Sequence, residues 1–114
     1  MPRSCCSLTT GHLLALLAGD DLTPFRTAAP VALACQYLAR PGASTLAMLG
    51  SGEQSRLQVR LILHVLPCLQ RVRIFSRTPE HRRDFAHKMS ELVPQSVEAI
   101  ENPERAVQDA DIIC

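Results

Sequence analysis

Two short clusters carry residue types that bind phosphate. The first is Gly50-Ser51-Gly52-Glu53-Gln54-Ser55, a G-x-G-x-x-S sequence directly after the apolar run Thr45-Leu46-Ala47-Met48-Leu49. In such a sequence the first glycine permits a tight turn and the second lets backbone approach a pyrophosphate. The third position needs a small residue where helix meets strand, and Ser55 is small enough. A helix opening here offers the unpaired amides of its first turn to an anion. The second cluster is Ser76-Arg77-Thr78, after the apolar run Val72-Arg73-Ile74-Phe75. A carboxylate at this tip would bond the ribose 2′-hydroxyl of NAD. Arg77 instead offers a planar fork to a 2′-phosphate, and the two hydroxyls and the helix amides can bind its remaining oxygens. One charge-assisted bond of about 1.5–3 kcal/mol predicts a roughly ten- to hundredfold preference for NADPH over NADH. Each cluster has a plainer alternative: glycine pairs also make ordinary turns, and Arg77 can be a solvated side chain beside an N-cap threonine.

The elements that must hold these clusters are legible from caps and apolar spacing. Thr23-Pro24, Thr78-Pro79-Glu80 and Asn102-Pro103-Glu104 each read as an N-cap oxygen followed by proline at the first helical position, where a missing amide costs nothing. They predict helices over about 24–39, 79–92 and 103–109, the second with Phe85, Met89 and Leu92 inward. A fourth helix is predicted from Glu53, with Leu57, Leu61, Ile62 and Val65 on one face and a stop before Pro67. Strand-length apolar runs at 45–49, 72–75, 97–100 and 111–114 alternate with these helices. That alternation is the signature of βαβ units, and right-handed crossovers place the first strand centrally. The expected fold class is α/β: half of a Rossmann-type doubly wound parallel sheet of order 3-2-1-4, preceded by a strand near 12–18 and a helix from the adjoining domain. The corresponding division is 1–10, which carries no interpretable signal, 11–43 as the edge of a substrate or dimerisation domain, and 44–114 as an incomplete NADP-binding domain. Ala28, Ala29, Ala32 and Ala34 suit close packing of that first helix against a neighbour. Gly19-Asp20-Asp21 reads as a turn after a buried strand, which opposes taking Met1 to Ala18 as a signal peptide.

The chain has 114 residues, 46% of them hydrophobic, and a formal net charge of +1, so neither disorder nor a field that recruits nucleic acid or membrane is expected. No run is long enough to span a bilayer. The 5 cysteines lack metal-ligand spacing and read as reduced thiols of a cytoplasmic protein. His12, His64, His81 and His87 are scattered, so no metal site is expected.

Arg26-Thr27-Ala28-Ala29, Tyr37-Leu38-Ala39-Arg40-Pro41, the Leu49–Ser55 loop and Ser76-Arg77-Thr78 together resemble the ornithine cyclodeaminase/mu-crystallin family over about residues 11–114. The strand tip is most similar to the mu-crystallin branch of NADPH-dependent ketimine reductases, which also bind thyroid hormone. The cyclodeaminase branch carries Asp at that tip. The resemblance implies that Arg26 and Thr27 sit where cofactor meets substrate, that Gly50, Gly52 and Gln54 form the diphosphate loop, and that Ser76, Arg77 and Thr78 form the 2′-phosphate pocket. Glu53 belongs to the same loop but departs from the family's apolar residue: its carboxylate favours the helix dipole and repels a nearby phosphate. Taken alone, Arg26 would read as a surface side chain of a first helical turn.

Family members run to about three hundred residues, so the resemblance implies a chain shortened at both ends. The part that supplies a catalytic Lys and a substrate-binding Arg has no counterpart before Gly11, and the strands and loop that carry a catalytic Asp would follow Cys114. No residue of this chain is therefore assigned a catalytic role, and whether it is an enzyme is left open. Hydride delivery needs cofactor and imine in near-attack geometry, and only the adenosine-phosphate half of that site is expected here. The partners implied are a dinucleotide, a cyclic imine or thyroid hormone in full-length relatives, and a second copy or a full-length relative. The alternative is a non-catalytic NADP- or hormone-binding protein. An open sheet edge beside the last strand predicts marginal stability.

Overall fold

A computed structural model describes residues 2–6 and 9–114. The strands are β1 (Pro2–Cys6), β2 (Leu13–Ala18), β3 (Thr45–Leu49), β4 (Arg71–Phe75), β5 (Ser96–Ala99) and β6 (Ile112–Ile113). The helices are α1 (Gly19–Leu38), α2 (Glu53–Val65), α3 (Pro79–Ser90) and α4 (Pro103–Val107). Four strands form a parallel sheet in the order β5-β4-β3-β6, the half-sheet expected from the alternation of elements. Leu46 pairs with Val72 on one side and Ile112 on the other, and Val72 pairs in turn with Val97. Because β3 is central, Thr45 to Met48 are buried, as continuous burial in a parallel sheet requires.

The helices bring their apolar stripes onto that sheet. Val59, Ile62 and Leu63 of α2 and Phe85 and Met89 of α3 join Leu46, Met48, Val72 and Ile74 in one core. Of the predicted face of α2, Ile62 is fully buried whereas Leu57, Leu61 and Val65 are half-buried, and Val59 and Leu63 join Ile62 in the core instead. Leu92, expected inward, lies beyond the end of α3 and is exposed, because the helix stops at Ser90.

Residues before the sheet depart most from expectation. Pro2–Cys6, where no signal was legible, pairs antiparallel with β2 as a separate two-stranded ribbon. The side chains of Cys5 and Cys6 lie outside the described residues. β2 was expected to be buried, yet Leu13, Leu14 and Leu16 are exposed, and Gly19-Asp20 opens a helix instead of a turn. α1 therefore begins one turn earlier than the Thr23-Pro24 signal, with Ala18 at the N-cap and both Pro24 and Pro30 inside the helix. Asp20 in the first turn suits the positive end of the dipole. Each proline has a helix-compatible φ but loses its own amide bond and crowds the carbonyl four residues before it, a local cost set against the packing of α1 on α2. Of the four alanines, Ala28 and Ala32 are buried, whereas Ala29 and Ala34 face solvent. The core runs on through Ala32 and Ala43 into the sheet, so α1 shares it.

Candidate functional site

The C-terminal ends of β3, β4 and β5 lie side by side, and both phosphate-type clusters stand at this edge. The Gly50 amide donates to the Phe75 carbonyl at 2.8 Å, tying the glycine loop to the tip of β4. Gly50 has φ of +136°, a conformation open to glycine, and a Cβ there would meet Ser55 Oγ at 3.2 Å. This is the close strand–helix approach for which a small residue at position 55 was expected. Gly52 is the N-cap of α2 with φ of −84°, and a Cβ built on it would meet nothing within 4 Å. Here glycine is not needed by the fold itself, and it keeps open the space against the first turn.

That turn is available. The first bond across it runs from the Arg56 amide to the Gly52 carbonyl at 3.2 Å, and no side chain caps it. Glu53 is exposed at the first helical position. Gln54 is half-buried, and its Oε1 is fully enclosed without a hydrogen-bond partner.

At the tip of β4, Arg77 is exposed and Thr78 occupies the N-cap of α3. The expected capping bond from the Thr78 side chain is not made, which leaves the first-turn amides of α3 uncovered. Ser76 Oγ donates to the Thr78 carbonyl at 3.3 Å, so its proton is used within the turn rather than turned outward. Asn102, by contrast, caps α4 as expected, accepting from the Glu104 amide at 2.7 Å and the Arg105 amide at 3.3 Å.

Arg26 and Thr27 lie on α1, exposed and half-buried respectively. A cleft of about 260 Å³ between the N-terminal half of α1 and the start of α2 is lined by Asp20, Phe25, Glu53, Arg56 and Arg60. Neither Arg26 nor Thr27 lines it, so the structure gathers Gly50, Gly52, Glu53, Gln54, Ser76, Arg77 and Thr78 at one sheet edge and holds Arg26 and Thr27 on the neighbouring helix. The four histidines are exposed and dispersed, and no group of metal-ligating side chains occurs among the described residues.

Two arrangements escaped the sequence reading. Asp111, whose side chain is 3% exposed, accepts through Oδ2 from the Ser44 amide at 2.7 Å and the Thr45 amide at 2.9 Å, and through Oδ1 from Arg40. The Ser44 amide first, then the Arg40 guanidinium and the Thr45 amide, hold its carboxyl well below the usual carboxylate range. The second is Arg82 on α3, buried with Nη1 donating to the Ser76 carbonyl at 3.1 Å. Its signal was present: position 82 falls on the stripe of Phe85 and Met89, where an arginine is out of place. Elsewhere, Cys35 of α1 and Cys114 meet at the core, and burial pushes both thiols up, Cys114 to about 11. A raised thiol carries less of the nucleophilic thiolate at neutral pH.

The sequence matches the ornithine cyclodeaminase/mu-crystallin family profile over residues 5–114. A Delta(1)-pyrroline-2-carboxylate reductase of Bacillus cereus is 38% identical over 103 residues, covering 90% of this chain and 31% of the relative. An L-lysine cyclodeaminase of Streptomyces rapamycinicus is 36% identical over 107 residues, covering 92% of this chain and 30% of that protein. Among solved structures, the Delta(1)-pyrroline-2-carboxylate reductase of Thermococcus litoralis, in complex with NADH and L-proline, superposes with a TM-score of 0.84 at 27% identity, over 96% of this chain and 34% of that one. The chain thus spans about a third of the length of these relatives. With the family profile matched from residue 5 onward and the expected half-sheet in place, the chain belongs to the ornithine cyclodeaminase/mu-crystallin family.

Proposed function

We propose that this chain is the adenosine-phosphate-binding part of an NADPH-dependent imine reductase of the ketimine reductase/mu-crystallin type, with residues 44–114 as the cofactor half-domain and 11–43 as the edge of its neighbour. The observation that carries the reading is the tip of β4, where Arg77 stands in place of a carboxylate beside the uncapped start of α3. Gly52 leaves room for a diphosphate against the amides of α2, and Gly50 makes the close turn against Ser55 that brings strand and helix together there. Arg26 and Thr27 would meet the cofactor from the side of α1. When bound, the dinucleotide supplies the hydride. The residues of this chain bind and orient its phosphates. Two relatives named as reductases of a cyclic imine, one of them holding NADH, support the reaction class.

Calorimetric titration of the chain with NADPH and with NADH tests the reading. The expected result is tighter NADPH binding by roughly ten- to a hundredfold, abolished by Arg77→Asp. Equal affinities in the unmodified chain overturn the NADPH assignment. A second reading, a binding module without catalysis, is favoured by the chain's coverage of about a third of its relatives. NADPH oxidation with a cyclic ketimine separates the two: turnover supports the enzyme, and binding without turnover supports the module. For the 114-residue chain by itself, binding without turnover is expected.

A further inference from the structure

Arg82 is only 6% exposed, on a helix whose other inward residues are Phe85, Ala86 and Met89. A guanidinium in such a place is costly unless its donors are used. Nη1 donates to the Ser76 carbonyl at 3.1 Å, and Nη2 lies 3.9 Å from Oε1 of Glu101, an exposed residue that Arg83 approaches equally closely. The Arg82 backbone amide donates to the Thr78 carbonyl at 3.2 Å. One residue therefore holds the Ser76-Arg77-Thr78 turn at both ends, by its side chain and by its main chain.

That grip has a directional effect. The peptide between Ser76 and Arg77 is trans, so its carbonyl and its N–H point in opposite directions. Anchoring the Ser76 oxygen on buried Arg82 turns the Arg77 amide away from α3 and gives the exposed Arg77 side chain a fixed point of departure. The Ser76 hydroxyl, bonded to the Thr78 carbonyl, closes the turn from within.

We propose that Arg82 is the positioning residue that sets the preference of this turn for a ribose 2′-phosphate, an inference that rests on reading the site as NADPH-binding. It never touches the phosphate. Without its hydrogen bond the 76–77 peptide is free to rotate, and the ordering of Arg77 must then be supplied by the ligand.

The test uses adenosine 2′,5′-bisphosphate and adenosine 5′-monophosphate as probes, titrated calorimetrically into the chain and its Arg82→Met and Arg82→Lys variants. Methionine keeps an apolar stem without donors, and lysine restores a charged donor group without the planar fork. Arg82→Met is expected to lose roughly tenfold in affinity for the bisphosphate, with under about twofold change for the monophosphate, and Arg82→Lys to recover part of the loss. Equal weakening of both probes, the mark of a merely structural role, overturns the proposal, as does an unchanged ratio in a variant that melts cooperatively. If both variants fail to fold, nuclear magnetic resonance of the unmodified chain decides: the Arg77 amide and the Arg82 Nε–H are expected to shift together with the bisphosphate and not with the monophosphate, and an unmoved Arg82 signal overturns the role. An unmodified chain that does not distinguish the probes overturns the cofactor reading beneath it, whereas discrimination that survives in Arg82→Met removes only the role of Arg82.

Discussion

Arg40 and Asp111, 71 positions apart, form the ion pair that joins the end of α1 to the start of β6. The two partners are unequally placed: the Arg40 side chain is 72% exposed and that of Asp111 is 3% exposed. The carboxylate is held first by the Ser44 amide, then by the Arg40 guanidinium and the Thr45 amide, and both amides lie at the entry to β3. This junction lies at the end of the sheet opposite the glycine loop and fastens α1, the central strand and the edge strand together.

Asp111 makes stability pH-dependent in a defined direction. Its carboxyl titrates lower in the folded chain than the ordinary value of about 3.9. The unfolded chain therefore takes up the proton first, so the contribution of this junction is complete above about pH 4 and is lost as pH falls through the folded-state titration. Asp111→Asn should be less stable at neutral pH, because its NH2 group must face either the two backbone donors or Arg40. Its acid-unfolding curve should also be shallower below pH 4. Parallel curves for the two proteins, followed by circular dichroism, would contradict this account.

The two loop glycines should separate stability from binding. Gly50→Ala places a side chain at φ of +136° and at 3.2 Å from Ser55 Oγ, and it should cost about 1–3 kcal/mol in urea denaturation. Gly52→Ala, at an ordinary φ in open space, should cost less than about 1 kcal/mol. Its methyl group would instead occupy the space against α2 and weaken dinucleotide binding. The opposite pattern, with Gly52→Ala unfolding the chain and leaving binding intact, would sink the assignment of that space.

The caps of α3 and α4 predict contrasting costs. Asn102→Ala removes an acceptor shared by two amides and should destabilise by about 0.5–2 kcal/mol. Thr78→Ala removes a hydroxyl that makes no capping bond and should be nearly silent in urea. Equal shifts in the unfolding midpoint would show that Thr78 caps α3 in solution.

Glu53 should trade stability against affinity. Glu53→Gln removes an anion from the first turn of α2, at a cost of about 0.3–1 kcal/mol through the helix dipole. The same change removes repulsion of a diphosphate, so NADPH should bind more tightly, and the gain should shrink at high salt. Weaker binding by Glu53→Gln would mean that this carboxylate contacts the ligand directly.

What was legible in the sequence depended on how local its cause is. The βαβ half-sheet could be read because each strand and helix announces itself within about a dozen residues: Pro79 opens its helix, Gly52 precedes another, and Thr45 to Met48 is apolar throughout. The start of α1 could not be read, because the Thr23-Pro24 signal has the right chemistry in the wrong place and packing of Ala28 and Ala32 against α2 overrides it. Leu13, Leu14 and Leu16 suggested burial by composition alone, whereas their exposure is a matter of tertiary position. At the candidate site, the glycines and the β4 tip were visible as motifs. Asp111 was not, because its role arises only when the Ser44 and Thr45 amides, more than sixty residues away, are brought to it, whereas Arg82 left a trace as an arginine on the apolar stripe of α3 but its bond to the Ser76 carbonyl did not.

The parallel pairing of β3 with β6 also sets an order of events. As the chain is made, α1 emerges about seventy residues before Asp111, Ile112 and Cys114, the groups on which its C-terminal half closes. Until then the helix leans chiefly on α2. The fastening at Arg40 is accordingly a late contact, formed by closing a loop that contains nearly the whole half-sheet. Disturbing it should speed unfolding while leaving the initial collapse of β3, α2 and β4 untouched.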